Sequence, residues 1–362
     1  MKISIIAAFF AVLFSFSAQA AEPTANDTAR FLAGLEPAAE SPLAPLTRDP
    51  AWQQYSRSLN AAFSGFQSRQ FPRIREWSNT NLPNPQQTLF YMFSGPDFLY
   101  ANAFFPNTTT YILSALEPVG QIPDMAKLSR GSMSRALGDI QISLRSILSY
   151  SFFITKQMKT DLRASRVEGT LPILYVFLAR SGMTLKTAEL IHLDDAGAVQ
   201  PGDGRNTRTG ARGVKIVFTD AQAKERTLYY FSTNLANGNF NTSGFEKFLE
   251  KFGTGDAFIK SASYLPHSGN FSQVRKFLLD HSNTVVQDDS GVPVAYFDDK
   301  VWKMRVFGRY LYPLGIFPGT HQKKLQDMYS RNNPAPLDFG LGYRWRPRES
   351  NLIMATKTPK TP

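Results

Sequence analysis

Thr88-Leu89-Phe90-Tyr91-Met92-Phe93 is an unbroken apolar run of strand-forming residues. A strand with one wet face alternates apolar and polar side chains, whereas a continuous run is covered on both faces. The chain must therefore supply packing layers on two sides of this segment. A short helix is expected over Asp97 to Phe104, and a second strand over Thr109 to Leu116. Strand, helix and strand in that order predict a small α/β unit inside a layered core.

The remaining periodicities divide at about residue 183. Before it the pattern is helical. Tyr55, Leu59 and Phe63 recur every four residues within Trp52 to Phe66, and Met133, Leu137, Ile140, Leu144, Ile147 and Ser151 form a stripe within Pro123 to Lys156. Leu171 to Arg180 reads as a further helix, with Thr170 to cap it, Pro172 in its first turn and Gly182 as a left-handed stop. After it the pattern is antiparallel sheet. Strands are expected at Thr184 to Leu193, Val214 to Thr219, Arg226 to Ser232, Ala257 to Leu265, near Thr284 and Val294, and at Trp302 to Tyr312, Phe339 to Arg346 and Asn351 to Thr356. Helices are expected at Ser243 to Phe252, after Asn270, and near Gln322 to Ser330. The fold class is α+β: an N-terminal strand–helix–strand unit with long helices, then a mostly antiparallel sheet with helices on one side. Residues 51–357 read as one mixed domain, with any subdivision falling near 165–183, and 358–362 as a tail.

The N-terminus carries a different signal. Lys2 precedes an apolar core from Ile3 to Phe16, and Ala18-Gln19-Ala20 has the small-x-small pattern of a secretory cleavage site. Cutting before Ala21 would leave 342 of the 362 residues in the periplasm or medium. Residues 21–50, rich in Ala, Pro and acids, read as an irregular lead-in with one helical turn near Arg30 to Leu35. The chain has no cysteine, which excludes disulfides, thiolate nucleophiles and a lipoprotein anchor. After the signal the longest apolar run is Leu171 to Ala179, well short of the roughly 20 residues of a spanning helix. The strands are too unevenly spaced for an outer-membrane barrel.

Chemistry-bearing motifs are sparse. Ser94-Gly95-Pro96-Asp97 lies between a buried strand and a helix, where α/β proteins place ligand sites. Ser94 would be a nucleophile there and Asp97 a working carboxylate, with His267 as a partner. The same four residues also spell a helix start, with Ser94 capping and Asp97 completing a capping box. The segment lacks the G-x-S-x-G elbow. No pair of histidines has metal-binding spacing, and Asp288-Asp289 with Asp298-Asp299 lacks the calcium-loop spacing, so neither a metal nor a cofactor is expected.

The charge is uneven. Of a net +11, a balance of +9 lies from Lys300 onward, twelve basic residues against Asp327, Asp338 and Glu349. Lys303 and Arg305 alternate with apolar residues, as do Arg344, Arg346 and Arg348. On strands, each series would present one cationic face. The two faces together would make a site for an anionic partner such as lipid or polysaccharide, or else a solvated outer face. Nucleic acid is not expected as a partner after export.

Three longer stretches carry a resemblance: Phe93-Ser94-Gly95-Pro96-Asp97-Phe98-Leu99-Tyr100-Ala101, Leu116-Glu117-Pro118-Val119-Gly120 and Phe339-Gly340-Leu341-Gly342-Tyr343-Arg344-Trp345. With them the chain resembles a set of exported bacterial proteins of unknown function. The resemblance implies export and brings no activity, ligand or catalytic residue. The leading expectation is an exported binding or envelope-associated protein that meets its partner through the basic C-terminal residues. The alternative is an exported hydrolase using Ser94 and Asp97, with His267.

Overall fold

The computed structural model describes residues 22–150, 167–205 and 210–358. The expected signal segment and its cleavage site, Ser151 with the end of the Pro123–Lys156 helix, and all but the first residue of the tail lie outside them. No described helix is long and apolar enough to cross a membrane.

Ten strands form one sheet: β1 Thr88–Met92, β2 Thr110–Ala115, β3 Thr184–Leu193, β4 Val199–Pro201, β5 Arg212–Thr219, β6 Glu225–Ser232, β7 Gly255–Ile259, β8 Ser282–Gln287, β9 Trp302–Gly308 and β10 Asn351–Lys357. Their order is β4-β3-β5-β6-β2-β1-β7-β8-β10-β9. The five central strands, β6 to β8 in that order, run parallel. Both wings are antiparallel. The class is mixed α+β.

Nine helices occur among the described residues: α1 Ala25–Leu32, α2 Pro50–Asn81, α3 Phe98–Phe104, α4 Arg130–Tyr150, α5 Leu171–Arg180, α6 Asn237–Phe240, α7 Phe245–Glu250, α8 Ser272–His281 and α9 Lys323–Asn332. They cover both faces of the sheet. Leu89 and Tyr91 of β1 belong to a core shared with α1 to α5. Phe90 and Met92, on the opposite face, pack in a core with α7 and α8. Further along that second face, α9 closes a small cluster through Leu325, Met328 and Tyr329 against Val306 and Ile353. The all-apolar reading of β1 is thus explained, since every one of its residues is buried.

The strand expected near Val294 is instead a 3-10 turn over Val294–Tyr296 that follows the Asp288–Gly291 turn, and three longer segments also depart from expectation. The lead-in is more ordered than its composition suggests, because Thr24 and Asp27 make a reciprocal capping box that starts α1. Helix α2 does not stop at Phe66 but runs on through Pro72. Phe71, Ile74 and Trp77 continue its buried stripe, and Trp77 packs edge-on against Phe104 and Phe307. That packing offsets an interior proline's cost of about 3 kcal/mol. The expected strand over Phe339 to Arg346 is absent, leaving one isolated bridge between Leu341 and Arg344. Gly340 and Gly342 fold this segment back on itself. A Cβ on Gly340 would stand 1.5 Å from the Trp345 carbonyl oxygen, and Gly342 has φ of +66°.

A close crossing also explains Leu116-Glu117-Pro118-Val119-Gly120. The Thr170 and Leu171 amides donate to the Pro118 and Val119 carbonyls at 2.9 and 3.1 Å. Gly120 there meets Gly169 so closely that a Cβ on Gly120 would lie 1.8 Å from the Glu168 carbonyl oxygen.

Candidate functional site

From β1 the sheet grows through β2 to β6 on one side, and the chain then returns to place β7 on the other. Loops leaving β1 and β7 must diverge, which opens a crevice at the carboxyl ends of the parallel strands. A cavity of about 260 Å³ lies there. Phe93 borders it after β1, Leu116 after β2, Asn234 after β6, and Ser261 and Ser263 after β7, with Phe271 opposite Phe93.

The backbone around this cavity is strained. Eight non-glycine residues among those described have positive φ, and four of them are here: Phe93 (62°), Ser261 (53°), Ser263 (50°) and Tyr264 (53°). Side chains disfavour this left-handed region because Cβ crowds the following carbonyl. Neighbours hold the loop in place. The Ser261 amide donates to Asp288 Oδ2 at 2.9 Å, the Ala262 amide to Ser290 Oγ at 2.8 Å, and the Ser263 amide to the Tyr343 hydroxyl at 3.0 Å. Tyr343 in turn donates to the Ser261 carbonyl at 2.9 Å. This is the structural use of the Gly340-Leu341-Gly342-Tyr343 segment: its tight turn delivers the tyrosine to the loop after β7. Gly342 itself presses on Asp288, and a Cβ there would lie 2.0 Å from Oδ2.

Behind the loops is a buried charged layer. Lys260, the residue after β7, pairs with Asp97 at 2.9 Å, with side chains 2% and 0% exposed. The Tyr91 hydroxyl donates to the same Asp97 oxygen at 2.8 Å. Next to it are Asp288 and Asp289, at the end of β8 and both buried. Burial and the neighbouring Asp289 push the Asp288 carboxyl up to about 6. Burial also raises Asp289, against hydrogen bonds from Tyr264 and Asn351. Asp288 and Asp289 form a turn that braces the cavity loop. Among the described residues no cluster of three or more His, Asp or Glu could hold a metal ion.

The residues singled out from sequence have separate surroundings. Ser94 is buried, and its hydroxyl donates to the adjacent Gly95 carbonyl at 2.8 Å. It does not cap α3. Asp97 does, accepting from the Tyr100 amide at 3.2 Å, because the chain turns through left-handed Phe93 and Gly95 before the helix begins. His267 lies 3.3 Å from the Asp289 carbonyl oxygen and packs against Tyr264. Burial drives its pKa down to about 4. No hydrogen bond among the described residues joins Ser94, Asp97 and His267.

The basic side chains also divide. Lys303 and Arg305 are exposed on β9, an edge strand whose one neighbour is β10. Arg346 and Arg348 are exposed on the 343–348 turn, with Arg346 over the Trp345 ring at 5.2 Å. Arg344 is half-buried and donates to the Tyr312 carbonyl at 3.0 Å. The two series therefore do not lie on neighbouring strands.

Sequence reasoning missed Lys260, Ser261, Ser263 and Tyr343. Lys260 ends an apolar run, where a lysine reads as a return to solvent. No residue type announces a left-handed serine. No family model, curated protein or solved structure matches this chain, so its own geometry is the guide to function.

Proposed function

We propose that the chain is an exported binding protein that holds a small ligand in the cavity between the loops leaving β1 and β7. The observation that carries this reading is the strain lining that cavity. Phe93, Ser261 and Ser263 are all left-handed without being glycine. Each costs on the order of 1–2 kcal/mol, and strain of this kind concentrates at ligand sites. The position at the reversal of strand order supports the same reading. Export rests on Lys2, the Ile3–Phe16 core and Ala18-Gln19-Ala20, and suits a chain without cysteine. The basic residues on β9 serve the sheet, since charged side chains on an edge strand discourage pairing with other chains.

Leu116 tests the site, because it borders the cavity while being 48% exposed, so a larger side chain there is compatible with folding. A fragment panel with equal numbers of neutral, anionic and cationic compounds is screened against the protein by saturation-transfer NMR. Hits should bind one per chain and be lost in Leu116→Trp at unchanged melting temperature. Hits that survive the substitution place the ligand elsewhere and overturn the proposal.

A further inference from the structure

Granting that the cavity is the binding site, we infer that its ligand is a small uncharged molecule with an aromatic or aryl-alkyl body and one hydrogen-bonding head such as a carboxamide. Size comes first. At about 260 Å³ the cavity matches roughly nine waters at liquid density. It suits a ligand of about that many heavy atoms. The walls come second. Phe93 and Phe271 meet edge to face with ring centroids 5.8 Å apart, and both are partly exposed. Rings in that arrangement favour a further aromatic partner over a bulky aliphatic one.

Charge comes third, and it separates this site from the basic residues elsewhere in the chain. Among the described residues no lysine, arginine or histidine borders the cavity. Among the described residues Glu117 is the one charged residue at its border, and at 1% exposure it lies behind the wall. An anion entering would lose its hydration with no accessible cation to meet it, since the Lys260 ammonium behind the loop is buried against Asp97, and with the Asp288 carboxyl close behind Ser261. A cation would find no accessible carboxylate. The accessible polar groups are neutral: the exposed Asn234 amide, whose Nδ2 donates and whose Oδ1 accepts from the Ala236 amide at 3.0 Å with a second lone pair left, and the Ser263 hydroxyl, 3.1 Å from the Tyr343 hydroxyl. A carboxamide head complements an asparagine amide in both directions.

Three probes of one shape decide the matter: phenylacetamide, phenylacetate and phenethylamine, titrated into the protein by calorimetry at pH 7. Phenylacetamide should bind at least ten-fold more tightly than either ion. Phe271→Ala should weaken it several-fold, and Asn234→Leu should remove the preference over the ions. Leu116→Trp should abolish it. If phenylacetate or phenethylamine binds as well as the amide and Leu116→Trp still blocks it, the ligand class is wrong while the cavity stands. If no probe binds, or if Leu116→Trp leaves binding unchanged, the cavity reading itself fails.

Discussion

Two buried ion pairs lie at opposite ends of the parallel strands, and they are built differently. At the amino ends, Arg226 reaches from β6 to Asp220 in the β5–β6 turn, with both side chains under a tenth exposed. Its guanidinium also donates to the carbonyls of Pro106 and Thr108. At the carboxyl ends, the Lys260 ammonium meets Asp97, and that carboxylate is shared with Tyr91 and the start of α3. An arginine's planar fork ties several chain segments at once, while lysine offers a compact charge. The amino end is a multiply anchored corner, with one left-handed residue, Ala223, in its turn. The carboxyl end concentrates strain and buried acid around a cavity. One end fixes the sheet, and the other is arranged for use.

Removing one carboxylate at a time gives the largest effect. Asp97→Ala takes the carboxylate from a buried ammonium that keeps the Tyr100 ring at 4.4 Å, and it uncaps α3, so it should cost about 3–5 kcal/mol. Asp220→Ala leaves Arg226 its carbonyl acceptors and should cost about 1–3 kcal/mol. Urea denaturation at pH 7 measures both, and equal losses would break the contrast.

Acid sharpens it at about 1 kcal/mol. The Asp288 carboxyl titrates near 6 in the folded chain, above its ordinary value of 3.8. Its contribution is therefore full below about 4 and is lost as pH rises through 6. Asp220 is opposite in sign. Burial raises it, but hydrogen bonds from the Lys224 and Gln222 amides and from Arg226 outweigh that and hold it below the ordinary value. Its contribution is lost as pH falls below 4. Between pH 7 and 5 Asp288 should respond and Asp220 should not; the buried Asp256 at the amino end of β7, also pushed up to about 6, responds alike in wild type and variant and cancels in their difference. Over that range wild-type stability should rise relative to Asp288→Asn by about 1 kcal/mol. A constant difference would show that the carboxyl titrates normally.

The smallest effect belongs to Ser94. Among the described residues its hydroxyl bonds only the neighbouring carbonyl, so Ser94→Ala should shift stability by no more than about 0.5 kcal/mol. A loss near 2 kcal/mol would return the capping role to the serine.

What could be read from sequence follows from the range of each interaction. β1 was legible because an unbroken apolar run has one explanation. α5 and β3 were legible to the residue because Pro172 and Gly182 bound them locally. The neighbour relation of β1 and β7 was not, since it joins residues some 165 positions apart without a pattern in either strand. Tyr343-Arg344-Trp345-Arg346 imitated a strand because alternating charge has the strand period, yet two preceding glycines decided its path. The cavity depends on that long-range neighbour relation and on left-handed serines, so composition could reveal neither.

The crossing of Gly120 with Gly169 has a topological meaning. Two backbone hydrogen bonds clasp the chain at 118–120 and 169–171, so the 48 residues between form an excursion whose ends already touch. The sheet passes from β2 to α5 through the clasp and draws no strand from the described residues of the excursion. Closing the clasp early, before α4 settles on α2, would cost little loop entropy compared with the sheet it joins. A short glycine bridge across it would remove no described strand and would uncover the faces of α2 and α5 that α4 covers, together with Trp345 under Tyr150. The excursion thus lends the main core Met133, Leu137, Ile140, Leu144 and Ile147 from α4 while its ends are already tied, a packing layer added to the sheet from beside the path that builds it.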